Sequence, residues 1–437
     1  MKHKSNLAGA PVYVVDGCRT PFLKAKGIGP FSASDLAVAA GSALLNRQPF
    51  SPSDLDEVIL GCAMPEPEEV NIARIVALRL GCGDKVPAFT VMRNCASGMQ
   101  AIDNAAMQIA SGRSHLVLAG GADAMSRAPL LLNQKMAGWL GRWSAAKSVK
   151  QRMGLLTQLR PAYFAPIIAL LKGLTDPIVG MNMGQTAEKL AYRFNLTREQ
   201  LDGFSAESHQ RLVRAVAEGR MDEVVPIIDS KGRVYSEDDG VRPDSSVENL
   251  AKLKPFFDKK YGMVTAGNSS QVTDGACLLL LASAEAVKKY DLNVIGRVVD
   301  SQWSALDPSQ MGLGPVHAVA PILQRQNLKA EDIDSWEINE AFAAQVLACV
   351  AAMGDDEYCQ TELGFKQALG SPSLERLNKD GGAIATGHPI GASGARIVLH
   401  LLKDLQESKG TRGMAAICIG GGQGGAMYLE RFSEAAV

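Results

Sequence analysis

Among 437 residues there is no Cys-x-x-Cys pair, no long uninterrupted apolar run and almost no net charge, the formal value being -1. Each absence excludes something. Eight cysteines scattered at 18, 62, 82, 95, 277, 349, 359 and 418 make neither a disulfide framework nor a structural zinc site, and fit reduced thiols in a cytoplasmic protein. The N-terminal MKHKSNLAGAPVYVV has basic residues but no continuous apolar segment before its first strand-like run, so secretion is not expected. Near-neutral charge argues against a nucleic-acid-binding protein as a whole. A further absence is local. From Arg127 through Thr175 there is no Asp or Glu, while Arg127, Lys135, Arg142, Lys147, Lys150, Arg152, Arg160 and Lys172 are all basic. The apolar stretch inside this segment, YFAPIIALLKGL, is too short and too interrupted to span a bilayer. A phosphate-bearing ligand, an anionic membrane surface, a partner subunit and a merely solvated basic face all remain open for residues 130–174.

What is present is an ordinary soluble composition, 46% hydrophobic and 21% charged, in a chain long enough for two or three domains. Strand-like runs (PVYVVDG, DEVILGC, HLVLAGG, AAICIGG) alternate with helix-like ones (SASDLAVAAGSALLNR, GMQAIDNAAMQIASGR), which predicts α/β layers around buried sheets. Three pairs of segments echo one another in the same order, offset by about 280 to 300 residues. SDLDEVILGC resembles EDIDSWEINE, CASGMQAI resembles GASGARIV, and LAGGADAM resembles CIGGGQGGAM. A duplicated fold follows, with Cys95 and the stretch around Gly391 at equivalent strand-to-helix corners. The expected boundaries are 1–125 for the first half, completed by about 270–291, then 126–269 for an inserted loop domain and 292–437 for the second half.

Four stretches carry the chemistry. RNCASGMQ places Cys95 in a tight turn at a helix start, where unpaired amides favour a thiolate. INEAF ends a strand pattern with Asn339, an oriented donor. ATGHPIGASGAR puts His388 before a proline at a helix entry, and AICIGGGQGGAM puts Cys418 beside glycines whose amides can approach a ligand. Singly, each has a plain structural explanation. Together they supply a nucleophile, a base, a second thiol and oxyanion donors, the set an acyl-transfer enzyme needs. Gly420, Gly422 and Gly425 also satisfy G-x-G-x-x-G, but too little chain follows for a dinucleotide site.

NCASGMQA, TAGNSSQVTDGA (265–276), NEAF (339–342), GHPIGASGAR (387–396) and CIGGGQGGA (418–426) resemble, in order, the motifs of the thiolase family. The resemblance implies a duplicated five-layer αβαβα core with an inserted loop domain, and a CoA-dependent acyltransferase with no metal and no permanently bound cofactor, coenzyme A being a substrate. It implies that Cys95 is acylated, that His388 is its base, and that Cys418 exchanges a proton with the acetyl carbon. The amides of Cys95 and Gly420 would form one oxyanion hole, and His388 with a water on Asn339 the other. Met183, Ser270 and Phe342 would border CoA, and basic residues of the insertion would meet its phosphates.

DGVRPDSS (239–246), AKLKPFF (251–257) and the basic insertion further resemble the thiolase subunit of the trifunctional fatty-acid oxidation complex. That likeness implies a homodimer at the centre of an α2β2 assembly, with α chains carrying hydratase and dehydrogenase activities. Two positions depart from the pattern, since Asn339 stands where mitochondrial members carry histidine and Asn182 replaces a histidine common in other thiolases. The expected reaction is degradative cleavage of a 3-ketoacyl-CoA. The alternatives are biosynthetic condensation to acetoacetyl-CoA and a non-enzymatic CoA- or lipid-binding scaffold.

Overall fold

A computed structural model describes residue 7 and residues 9–432. In the first half, strands β1 (Val12–Arg19), β2 (Glu57–Gly61), β3 (Ala88–Val91), β4 (Leu116–Ala124) and β5 (Thr273–Ala282) carry helices α1 (Ala33–Leu45), α2 (Ile72–Arg79) and α3 (Ser97–Ala110). After an excursion holding α4 (Gln134–Ala145), α5 (Val149–Leu156), α6 (Met183–Arg193) and α7 (Arg198–Ala217), the second half follows. It comprises β6 (Gly296–Ala305), α8 (Gly314–Gln326), β7 (Ser335–Ile338), α9 (Ala343–Met353), α10 (Ile390–Ser408), β8 (Arg412–Ile419) and β9 (Gln423–Arg431).

The repeat is visible in the pairing. In the first half β1, β5, β4, β2 and β3 are neighbours in that order, the first two pairings antiparallel and the next two parallel. In the second, β6, β9, β8 and β7 follow the same sequence of senses, and a lone parallel bridge from Trp336 to Leu377 occupies the place of β3. Antiparallel pairing of Val12–Val14 with Gly296–Val298 joins the two sheets edge to edge.

Alternation along the strands explains the layers. Val58 and Leu60, with Leu278 and Leu280, face α1 and α2, whereas Ile59, Leu279 and Leu281 face inward. Met414 and Ala416 face α8 and α9, whereas Ala415 and Ile417 face inward. Helices α3 and α10 fill the middle layer, with Met99, Ile102, Ala395 and Val398 packed between the sheets. Because both faces of each sheet are covered, the strands read as near-continuous apolar runs. Glycine lets the central helices touch: a Cβ at Gly98 would lie 2.7 Å from the Gly391 carbonyl oxygen.

Between β8 and β9 the chain turns in three residues, with Gly421 and Gly422 at φ +94° and +74°. At the equivalent corner of the first half, between β4 and β5, it makes the excursion 125–272. Buried ion pairs moor that excursion. Glu223 meets Arg19 of β1 and His400 of α10, and Asp238 takes a two-pronged contact from Arg19 at 2.7 and 2.8 Å.

Candidate active site

The turn between β3 and α3 is built from its own side chains. Asn94 adopts a left-handed conformation (φ +43°), and Ser97 Oγ accepts the Arg93 amide at 2.9 Å while donating to the Asn94 carbonyl at 2.7 Å. This lifts Cys95 out of the strand line onto the end of α3. From there Asn94 Nδ2 donates to the Gly420 carbonyl across the molecule, at 2.8 Å. The amides of Gly420 and of Cys95 itself are directed at the Cys95 sulfur.

On the other side, α10 delivers His388. Its amide donates to the Gln271 carbonyl, and its Nδ1 lies 2.6 Å from Ser393 Oγ. Ser393 donates its own proton to the Pro389 carbonyl at 3.0 Å, so it accepts from Nδ1–H. The tautomer is thereby fixed with a lone pair on Nε2, which has no partner in the protein. Cys418, at the end of β8, is buried among Met311, Ala341 and Phe342.

Cys95, His388 and Cys418 line one cavity of about 380 Å³. Met183, Ser270 and Phe342 line it too, as do Leu170, Leu171 and Leu174 of the excursion. Asn182, beside Met183, caps α6 by accepting the Gln185 amide. Asn339 and Gly420 stand outside the lining: Gly420 reaches Cys95 through its amide, and the Asn339 amide side chain is fully buried with neither of its polar atoms bonded to protein. A buried amide with that free capacity suits a bound water.

The electrostatics correct one expectation. The helix start does not make Cys95 a resting thiolate. Burial pushes its thiol up to about 11, the Asp123 charge adds to this, and the amides of Gly420 and Cys95 only partly oppose it. Burial, helped by the Arg396 charge, pushes His388 down to about 4. Cys418 is driven well above the usual thiol range, first by burial and then by the neighbouring Cys95. The resting site is therefore thiol, neutral imidazole and thiol, a base beside two acids, rather than a thiolate–imidazolium pair. Arg127 also leaves the pool of free cations, since it forms a two-pronged ion pair with Glu66.

Three contributors escaped sequence reasoning: Asn94, Ser393 and Asp123. Asn94 and Ser393 sit inside quoted motifs but look like ordinary turn residues. Asp123 was signalled only by an acid within an apolar strand. Its carboxylate accepts the amides of Ala63, Met64 and Gly391, tying the loop after β2 to the start of α10. Among the described residues no cluster of His, Cys, Asp and Glu could hold a metal ion.

A family model described as thiolase, N-terminal domain, matches residues 12–285, and one described as thiolase, C-terminal domain, matches 292–431. The chain belongs to the thiolase family. This thiolase, an acyltransferase, is 37% identical to the mitochondrial trifunctional enzyme subunit beta of Bos taurus, over 97% of the chain and 89% of that protein. It is 36% identical to a 3-ketoacyl-CoA thiolase of Serratia proteamaculans, over 97% of each. Human mitochondrial 3-ketoacyl-CoA thiolase in complex with CoA superimposes with a TM-score of 0.84 at 34% identity, covering 99% of this chain and 100% of that one. A Bacillus anthracis acetyl-CoA acetyltransferase matches with the same TM-score at 35% identity, covering 98% and 100%.

Proposed function

We propose that this thiolase works in the degradative direction, cleaving a 3-ketoacyl-CoA with free CoA into acetyl-CoA and an acyl-CoA shortened by two carbons. The observation that carries this reading is the single cavity shared by two thiols and an unpartnered imidazole nitrogen, walled by leucine, methionine and phenylalanine. His388 Nε2 takes the Cys95 proton as the sulfur attacks the 3-keto carbon, and the resulting oxyanion lies against the amides of Cys95 and Gly420. Collapse breaks the C2–C3 bond and leaves the electron pair on the acetyl-CoA enolate. Its oxygen is held by protonated His388 and a water on Asn339. Cys418 then gives its proton to C2, and acetyl-CoA departs. The thiol of a second CoA returns a proton to Cys418 and takes the acyl group from Cys95, whose sulfur recovers its proton from His388.

Met183, Ser270 and Phe342 border the CoA arm, and cations of the excursion meet its phosphates. The names of the relatives, 3-ketoacyl-CoA thiolase and trifunctional enzyme subunit beta, support the degradative assignment and association with a further subunit; the family resemblance adds a dimeric core and an α chain with hydratase and dehydrogenase activities. Eight free cysteines support a reducing, cytoplasmic setting. The biosynthetic reading draws on the acetyl-CoA acetyltransferase match, and a substrate series separates the two. Purified protein should consume long 3-ketoacyl-CoA only when CoA is added, faster than it forms acetoacetyl-CoA, and Cys95→Ser should abolish turnover. Activity confined to acetoacetyl-CoA would overturn the degradative assignment, and full activity of Cys95→Ser would overturn the mechanism.

A further inference from the structure

The Asn339 side chain has no polar contact within the protein to steer it, so its direction is inherited from the backbone that carries it. That backbone is gripped on both sides. Before Asn339, the Asn378 side chain accepts the Ile338 amide at 2.9 Å and donates to the Ile338 carbonyl at 3.0 Å. It does so from a left-handed conformation (φ +47°), extending the edge of β7 beyond the Trp336–Leu377 bridge.

After Asn339 comes Glu340, a carboxylate only 1% exposed that the mechanism above does not use. Its Oε1 accepts Asn378 Nδ2 at 2.8 Å, and its Oε2 accepts the Ser208 hydroxyl at 2.7 Å and the Ile384 amide at 3.2 Å. Ser208 Oγ itself accepts the Gly382 amide at 3.1 Å, which leaves its proton for Glu340. Three elements therefore meet on one carboxylate: the turn at Asn378, the helical turn Ala383–Thr386 that runs through Gly387 into His388, and α7 of the excursion. The second comes so close that a Cβ at Gly382 would lie 2.3 Å from the Glu340 carboxyl carbon.

One flank of Glu340 is not packed. With Ser208 it borders a cavity of about 430 Å³, walled by Leu196, Phe204, Leu347 and Val350, which shares no lining residue with the cavity of Cys95. On that flank hydrogen bonds, rather than surrounding atoms, keep the carboxylate in place. Glutamine cannot replace it: Asn378 is committed to Ile338 in both directions, and the other oxygen faces the Ile384 amide. Either orientation of a glutamine amide sets a donor against a donor.

We propose that Glu340 is a positioning residue of the enolate site, setting Asn339 against His388, and that Ser208 extends this control to the excursion. The proposal rests on the assignment of the enolate's water to Asn339 under the proposed function.

A double-mutant cycle read on two reactions tests it. Cleavage of acetoacetyl-CoA passes through the enolate, whereas exchange of labelled CoA into acetyl-CoA needs only the Cys95 acyl-enzyme and the amides of Cys95 and Gly420. His388 serves both, but Ser393 and Gln271 hold it separately. Glu340→Gln should lower kcat for cleavage on the order of 100-fold with KM little changed, while exchange falls less than about fivefold. Added to Asn339→Ala, the same substitution should cost less than about threefold more. Ser208→Ala should repeat the pattern at about tenfold. Cleavage by Glu340→Gln within about threefold of the parent, equal losses in both reactions, or losses that multiply with those of Asn339→Ala overturn the proposal. Ser208→Ala at the parental rate strikes out the part given to the excursion, and the whole proposal where Glu340→Gln yields no folded protein. Asn339→Ala that cleaves like the parent overturns the enolate assignment itself and leaves Glu340 nothing to position.

Discussion

The depressed basicity of His388 makes a prediction that separates a neutral-base mechanism from an ion-pair mechanism. Burial and the Arg396 charge bring the imidazole from 6.5 to about 4. A histidine of ordinary basicity is about 97% protonated at pH 5, leaving about 3% in the base form, whereas a group at about 4 keeps about 90%. The two cases differ about 30-fold in kcat/KM at pH 5. The sign follows from the direction of the shift: the base form is present above the folded-state value and is lost only as pH falls through it. The assay is kcat/KM for acetoacetyl-CoA at saturating CoA, with acetyl-CoA separated by chromatography, between pH 5 and 8. The profile should stay nearly flat on its acid side. Arg396→Gln removes the cation and keeps the burial, so its acid limb should move to higher pH. A limb of unit slope near 6.5 in the parent protein would refute the argument that burial holds His388 neutral.

Three further outcomes follow from the same geometry. Asn339→Ala removes the buried amide that holds the enolate's water and should lower kcat by ~10²- to 10³-fold with little change in KM, and a loss of less than about threefold removes Asn339 from the oxyanion site. Cys418→Ala should still be labelled on Cys95 by acetyl-CoA yet lose exchange of the acetyl methyl protons with deuterated water, and retained exchange assigns that proton transfer elsewhere. Gly121→Ala would place a Cβ 2.0 Å from the Gly391 carbonyl oxygen; it should cost about 1–3 kcal/mol in urea unfolding, and an unchanged midpoint contradicts the close packing of β4 against α10.

Much of the architecture is legible in the sequence because both sheets are buried on both faces. Apolar strands between helix-period segments announce α/β layers, and the echoes reflect real equivalences: β2 with β7, α3 with α10, and β4 with the end of β8. Cys95, His388 and Cys418 are legible through residue type beside glycine. Their protonation is not, because it depends on how much protein surrounds each group. A helix start favours a thiolate, but at Cys95 the desolvation of a nearly enclosed sulfur outweighs two inward-facing amides. Ser393 and Asn94 were hidden for a related reason, since a hydroxyl that orients an imidazole and an amide that steadies a distant loop are told apart from turn residues only by distances. The exposure of Leu130, Val149 and Met153 in and around α4 and α5 was equally out of reach, because composition does not say which apolar side chains a fold leaves uncovered.

The three-residue turn after β8 and the long excursion after β4 are alternative closures of one corner. A strand pair that can be shut by Gly420–Gly422 in one half asks nothing structural of what replaces that turn in the other. The stretch of it that neither lines the cavity nor carries the mooring carboxylates is therefore free to diverge, while the nucleophile, base and second thiol stay put after β3, before α10 and at the end of β8. One appendage thus carries two kinds of chain: a part that must keep its shape because Met183 and Ser270 wall the pocket, and a part, α4 and α5, that contributes no side chain to it.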